Sequence, residues 1–190
     1  MPAKTSKTRK TTKGAQSARS SKTVKRAKTP APAKVKTRPA AKPKAKGPVI
    51  VVRGSEIHGK GVFAARPIAK CERIIEYKGT LITEPAADEL YGDDETNHTF
   101  LFLLDNGMVL DAYRGGNSAR WINHSCNPNC EPMEEGNRLF IHATRSIKAG
   151  EELGYEYNLV IEDRYTPAIK KFYACRCGAR QCHGTFLAKR

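Results

Sequence analysis

The first 48 residues contain no acid and no aromatic side chain: Glu56 is the first acid of the sequence and Phe63 the first aromatic. They hold 16 Lys/Arg and six of the eleven prolines. A stretch this poor in apolar surface cannot offset its own ordering entropy, so residues 1–48 are predicted to form a disordered basic arm. Long apolar runs are lacking throughout. None approaches the roughly 18 to 20 residues a membrane helix needs, and no charged start is followed by an apolar secretory core, which predicts a soluble protein. Without a secretory signal, Cys71, Cys126, Cys130, Cys175, Cys177 and Cys182 read as metal ligands or buried thiols in a reducing compartment rather than as disulfides. There is no internal repeat, and no alternation of strands with long helices of the kind a parallel α/β sheet requires.

The formal charge of +15 is therefore a property of the arm. Beyond residue 48, 18 bases meet all 19 acids, leaving 142 nearly neutral residues, enough for one ordinary domain with a core. Within the arm, Thr29 to Lys46 repeats Ala, Lys and Pro loosely (TPAPAKVKTRPAAKPKAK), a composition suited to extended chain that displays its lysines singly. Each cation that meets a phosphate releases counterions, so the expected partner is nucleic acid, bound without sequence specificity. The alternatives are an anionic membrane surface, a solvated tail and a transit sequence.

From Pro48 the pattern becomes short apolar stretches broken by turns: VIVVRG, GVFAARPI, RIIEYKGTLI, HTFLFLLDNGMVLDA, RLFIHATRSI and ELGYEYNLVI. Their β-branched and aromatic content, with breaks at Asp105-Asn106-Gly107 and Glu135-Gly136-Asn137, predicts strands and hairpins in a mainly β domain. Only Pro85 to Leu90 and a stretch around Asn117 to Ile122 look long enough for a helical turn or two. Glu84 to Glu95 (EPAADELYGDDE) carries six acids and no base. It is either a solvated loop or a wall that concentrates a basic peptide.

Three thiols near the C-terminus, Cys175, Cys177 and Cys182, follow a C-x-C-x4-C spacing. Thiols this close in sequence meet in space, and their softness suits tetrahedral zinc. A closed site needs a fourth ligand, and spacing leaves the choice open among Cys126, Cys130, His183 and His124. His58-Gly59-Lys60-Gly61 contains a G-x-G, by itself only a sign of close backbone approach. The string Arg120 to Cys130 (RWINHSCNPNC) is far denser in hydrogen-bonding side chains than a surface loop requires.

Taken in order, HGKGVFA, EYKG, RWINHSCNPNC and GEELGYEY, followed by CRCGARQC, resemble the motif set of SET-domain protein lysine methyltransferases with a cysteine-rich post-SET tail. The resemblance covers about three quarters of the chain. It implies a SET domain over 49–162, a post-SET zinc segment over 163–190, and a fold of several small β-sheets around a pseudoknot, where the chain near GYEY passes beneath the NHSC loop. It further implies S-adenosylmethionine as methyl donor, held by the backbone of His58, Gly59, Lys60 and Gly61 and by Asn123 and His124. Phe186 or Leu187 would pack on the adenine. Cys126 becomes the expected fourth zinc ligand and Cys130 a structural thiol. Tyr157 matches the catalytic tyrosine and Tyr77 a second tyrosine of the site. Tyr155 stands where the family carries phenylalanine or tyrosine, which predicts mainly monomethylation with some dimethylation.

Three departures are visible: no cysteine-rich segment precedes the SET core, the insert at Glu84 to His98 is short, so that substrate selection rests on few residues, and Glu156 replaces the usual aspartate with its charge kept. The implied substrate is a lysine in a basic protein such as a histone or histone-like protein. The implied setting is chromatin, in a nucleus or a bacterial nucleoid. The alternative from another class is a non-catalytic, zinc-containing chromatin architectural protein.

Overall fold

The computed structural model describes residues 47–92, 100–161 and 164–189, together with the backbone of Lys25–Arg26. The predicted disorder of the arm otherwise lies outside the described residues. As the short apolar stretches broken by turns predict, the described residues form short strands in four small sheets.

A two-residue strand from the arm, β1 (Lys25–Arg26), is followed by β2 (Ile50–Gly54) and β3 (Lys60–Ala64), which form an antiparallel pair with Val52 opposite Val62. Strand β4 (Arg73–Tyr77) is central to the fold because it brings Tyr77 inward at its end. Next come β5 (Thr80–Thr83) and helix α1 (Glu84–Tyr91). The Thr83 hydroxyl accepts from the Ala86 N–H at 3.4 Å, and Pro85 occupies the first turn, where its missing N–H costs nothing. The helix buries Ala87 in a small cluster with Leu101 and Val109.

Strands β6 (Leu101–Leu103) and β7 (Met108–Asp111) are joined through the predicted Asp105-Asn106-Gly107 turn. Gly107 takes φ +78, and the Asn106 side chain accepts from the Met108 N–H at 2.9 Å. The resulting sheet has the order β1-β6-β7-β5, with β1 parallel to β6. A short 3-10 turn, Ser118–Trp121, lies within the second predicted helical stretch and leads into β8 (Asn123–His124).

Strands β9 (Cys130–Glu135) and β10 (Arg138–Ala143) form the second predicted hairpin, with Gly136 at φ +63, and β10 pairs with β4 on its other edge. Finally β11 (Gly154–Tyr155) runs parallel to β8, with Gly154 opposite Asn123 and Tyr155 opposite His124. A Cβ at residue 154 would lie 2.7 Å from that of Ser125, so only glycine permits this approach.

The principal core gathers Val62, Ile68, Tyr77, Phe102, Leu139, Ile141, Leu153 and Tyr155, all essentially inaccessible. Truncating a buried leucine such as Leu153 to alanine costs about 2 to 5 kcal/mol. The C-terminal segment has only a satellite cluster of Leu159, Ile161, Tyr173 and Leu187. It contains helix α2 (Pro167–Phe172), which the sequence reading did not anticipate. Six residues are too few for a periodic apolar face, and none of them is buried. The local signal is Thr166-Pro167, in which the threonine hydroxyl accepts from the Ile169 N–H at 3.3 Å. No described helix is long and apolar enough to cross a membrane.

Candidate active site and metal centre

Pairing β8 with β11 places Asn123 and His124 of the RWINHSC string in the interior, where both are buried. The Asn123 amide nitrogen donates to Ser55 Oγ at 3.1 Å, Lys60 O at 3.1 Å and Glu152 Oε1 at 2.9 Å. Its donors are thus committed to the protein, and Oδ1 is the end left to receive a ligand donor. Ser55 Oγ also donates to Glu152 Oε1 at 2.7 Å, so one carboxylate anchors both groups. His124 is oriented from both sides: Nδ1 accepts from the Tyr157 N–H at 3.1 Å, and Nε2 lies 3.2 Å from Cys126 Sγ. Because Nδ1 is an acceptor, the ring proton sits on Nε2 and is aimed at sulfur.

Above these residues opens a cavity of about 300 Å3. His58, Gly59 and Lys60 form one side, and Trp121, Asn123, His124 and Tyr157 form the floor. The C-terminal segment supplies the far side through Lys171, Cys175, Arg176 and Phe186. Gly59 takes φ +44, a conformation other residues adopt at a cost. Phe186 is the member of the Phe186/Leu187 pair that reaches the cavity, with its ring 5.9 Å from those of His124 and Tyr157; Leu187 packs instead in the satellite cluster. Gly61 stands behind the cavity wall rather than on it. A Cβ there would meet Glu152 Oε1 at 2.3 Å, so this glycine makes room for the carboxylate that holds Asn123.

Tyr77, Tyr155 and Tyr157 converge beneath the floor. The Tyr155 and Tyr157 rings are 5.1 Å apart, and Phe102 bridges Tyr77 at 5.6 Å and Tyr155 at 6.5 Å. Tyr157 donates its O–H to Ile122 O at 2.7 Å and Tyr77 to Phe100 O at 3.2 Å. Burial pushes all three phenols above their ordinary range, so they are neutral O–H groups that orient and donate rather than bases. Only Tyr157 faces the cavity; Tyr77 and Tyr155 lie below it.

The thiols of Cys126, Cys175, Cys177 and Cys182 lie within 4.8 Å of one another. Cys126 Sγ is 3.7 Å from Cys175 Sγ and 3.9 Å from Cys182 Sγ. Four sulfurs each about 2.3 Å from a tetrahedral zinc stand roughly 3.8 Å apart, so the donor set fits that ion. Of the four candidates for the fourth position, the structure brings Cys126 into the cluster. Cys130 stands outside the cluster, fully buried, with its thiol 3.4 Å from Gly154 O and its pKa pushed up to about 12 by burial.

Residues 59–158 match the SET domain. The chain belongs to the SET-domain family. It is 38% identical over 138 residues to human histone-lysine N-methyltransferase SETD1B, a match covering 69% of this chain and 7% of that protein. Drosophila melanogaster histone-lysine N-methyltransferase SETD1 is likewise 38% identical over 138 residues, covering 69% of this chain and 8% of the relative. Among solved structures, ctPRC2 in an autoinhibited conformation bound to S-adenosylmethionine is similar at 34% identity and a TM-score of 0.53, over 59% of this chain and 15% of that one. The chain thus spans less than a tenth of the length of these curated relatives.

Four residues of the site escaped the sequence reading. Glu152 and Ser55 fix Asn123 from remote positions that no spacing connects. Trp121 lines the cavity between two cations, with Lys60 Nζ 4.8 Å and the Arg120 guanidinium 4.7 Å from its ring. Its signal was available, since it is the one tryptophan of the sequence and stands two residues before Asn123. Arg120 is the fourth: its Nη1 donates to Ala112 O at 3.0 Å and ties the cavity rim to the end of β7.

Proposed function

We propose that this chain transfers a methyl group from S-adenosylmethionine to the side-chain amine of a lysine in a basic protein, a histone or histone-like protein. The observation that carries this reading is the adjacency of two features: a cavity framed by His58–Lys60, Asn123, His124 and Phe186, and a cluster of neutral tyrosines that starts at Tyr157 on its floor and continues beneath it through Tyr155. When bound, S-adenosylmethionine supplies an electrophilic methyl carbon and a positive charge. Asn123 Oδ1 would accept from its ammonium, and Phe186 with Trp121 offers aromatic surface for its base.

The acceptor must arrive as a neutral amine, because an ammonium has no lone pair. A lysine of ordinary pKa near 10.4 is about 0.04% neutral at pH 7, a handicap of roughly 4 to 5 kcal/mol. Enclosure among Tyr77, Tyr155 and Tyr157 disfavours the charged form and so lowers that cost. Tyr157 then holds the amine in line and offers its hydroxyl dipole to the developing charge. Tyr155, deeper in the nest, occupies the volume an already methylated amine would need, which supports mainly monomethylation with some dimethylation.

Cys126, Cys175, Cys177 and Cys182 would hold one structural zinc, with the Nε2–H of His124 donating to the Cys126 sulfur. The arm would bind nucleic acid and keep the enzyme on chromatin. Removing residues 1–48 should abolish most DNA affinity and its steep salt dependence while the catalytic domain still turns over a short peptide. Transfer of radiolabel from S-adenosylmethionine onto a mixture of histones and other basic proteins tests the enzymatic reading. Tight cofactor binding without any transfer would favour the architectural one.

A further inference from the structure

β6 has β7 on one edge and, on the other, two residues of the chain's own arm. Lys25 is in register with Phe102 and Arg26 with Leu103, in parallel pairing. β6 also borders the tyrosine nest. The Phe102 ring packs on Tyr77 and Tyr155, and the carbonyl of Phe100, just before β6, receives the Tyr77 O–H. An arm strand on this edge therefore runs past the groups assigned to orient an acceptor amine. Main-chain pairing of this kind recognises extended peptide with little regard to sequence, as befits a Lys- and Pro-rich arm. Charge favours the same docking. The acidic stretch Glu84 to Glu95, which begins with α1 and leads toward β6, has six acids without a base, whereas the arm has 16 Lys/Arg and no acid. Reach is not limiting, since residues 27–46 link the two parts and extended chain spans about 3.3 Å per residue.

We propose that the arm is a substrate of its own catalytic domain, docked as an added strand on β6, with Lys25 as the acceptor. This rests on the methyltransferase reading above. The Lys25 amine lone pair forms the N–C bond as the methyl–sulfur bond of S-adenosylmethionine breaks. S-adenosylhomocysteine leaves, and the extra proton of the resulting secondary ammonium passes to water. Because the acceptor is tethered, its effective concentration is set by the linker rather than by the solution, so the reaction is first order in protein. Until Lys25 is released, the docked arm also competes with any other peptide for the same edge.

The test uses the full chain with S-adenosylmethionine, with and without a histone-tail peptide, followed by mass spectrometry of the arm. We expect Lys25 to be methylated at least about tenfold faster than the average arm lysine, at a rate per chain that does not change on tenfold dilution. Lys25→Arg should remove that mark and leave peptide methylation intact. A second readout needs no turnover. In the cofactor-free protein, Lys25→Pro, which removes the arm N–H that faces β6, should raise amide hydrogen exchange at Leu103. Peptide labelled with Lys25 unlabelled, or labelling that slows on dilution, overturns the proposal alone. If neither arm nor peptide is labelled, the methyltransferase reading falls and the proposal with it.

Discussion

The floor of the cavity and its far wall are held together by different forces. Asn123, His124 and Tyr157 are fixed by the parallel pairing of β8 with β11, by the Glu152–Ser55–Asn123 hydrogen bonds and by the principal core beneath them. Lys171, Cys175, Arg176 and Phe186 belong to a segment whose helix buries nothing, whose Phe172 is 47% exposed and whose apolar support is one small cluster. One wall would stand through burial and backbone pairing; the other needs the four thiols to be gathered by something. The contact between His124 and Cys126 is where the two meet. A ligand that binds between such walls depends on the weaker one as much as on the stronger.

Removing the metal should break this comparison most severely. A strong chelator is expected to release about one zinc per chain and to abolish S-adenosylmethionine binding by calorimetry, while the near-ultraviolet signal of the core persists. Cys177→Ser should do the same. Unchanged cofactor affinity after chelation would mean that the far wall is self-supporting.

Next in size is Tyr157→Phe, which leaves both walls in place and removes one hydroxyl at their junction. It should lower kcat on the order of 100-fold or more. The lost bond to Ile122 O should cost only about 1 kcal/mol in urea unfolding. A stability loss of several kcal/mol with unaltered kcat would make Tyr157 a packing residue.

The three tyrosines at and below the floor respond to alkali. Burial raises the pKa of Tyr77, Tyr155 and Tyr157 above the ordinary value of 10.0, so the native chain keeps protons there that the unfolded chain gives up. Below about pH 10 their contribution to stability is fully present, and it is lost progressively as pH rises beyond that value. Urea midpoints measured from pH 8 to 12 should fall across the upper half of that range. A flat profile would show that these phenols ionise in the folded state.

The smallest expected energetic effect is the most informative about the tyrosine nest. Tyr155→Phe should leave the overall rate within a few-fold and raise the di- and trimethylated fractions of a peptide followed by time-resolved mass spectrometry. An unchanged product ratio would assign Tyr155 to packing, and predominant trimethylation by the unaltered protein would show its assigned role to be wrong.

Much of the site was legible because its chemistry is concentrated in short strings. HGKG gave the turn at Gly59, NHSC the floor, and C-x-C-x4-C three of the four clustered thiols. What could not be read were the long-range supports. Glu152 reaches Asn123 and Ser55 across 29 and 97 positions, and no local pattern announces such a bond. The G-x-G at Gly59 and Gly61 signals close backbone approach without saying what approaches, and at Gly61 one such neighbour is the Glu152 carboxylate. Helix α2 was hidden because its shortness removes periodicity, the main signal of a helix.

The sequence by itself determined the near-neutral β domain beyond a basic arm, the positions of the two hairpin turns and the family to which the motifs belong, because composition, turn chemistry and ordered motifs are local properties. It also brought Cys175, Cys177 and Cys182 within reach of one another. The tertiary structure brings Cys126 into that cluster, as the family resemblance implied, and it alone decided that Phe186 and not Leu187 reaches the cavity, and that Tyr157 faces it while Tyr77 and Tyr155 lie below. Each of these choices lies between chemically similar residues, and what separates them is the way each side chain points once distant segments have paired.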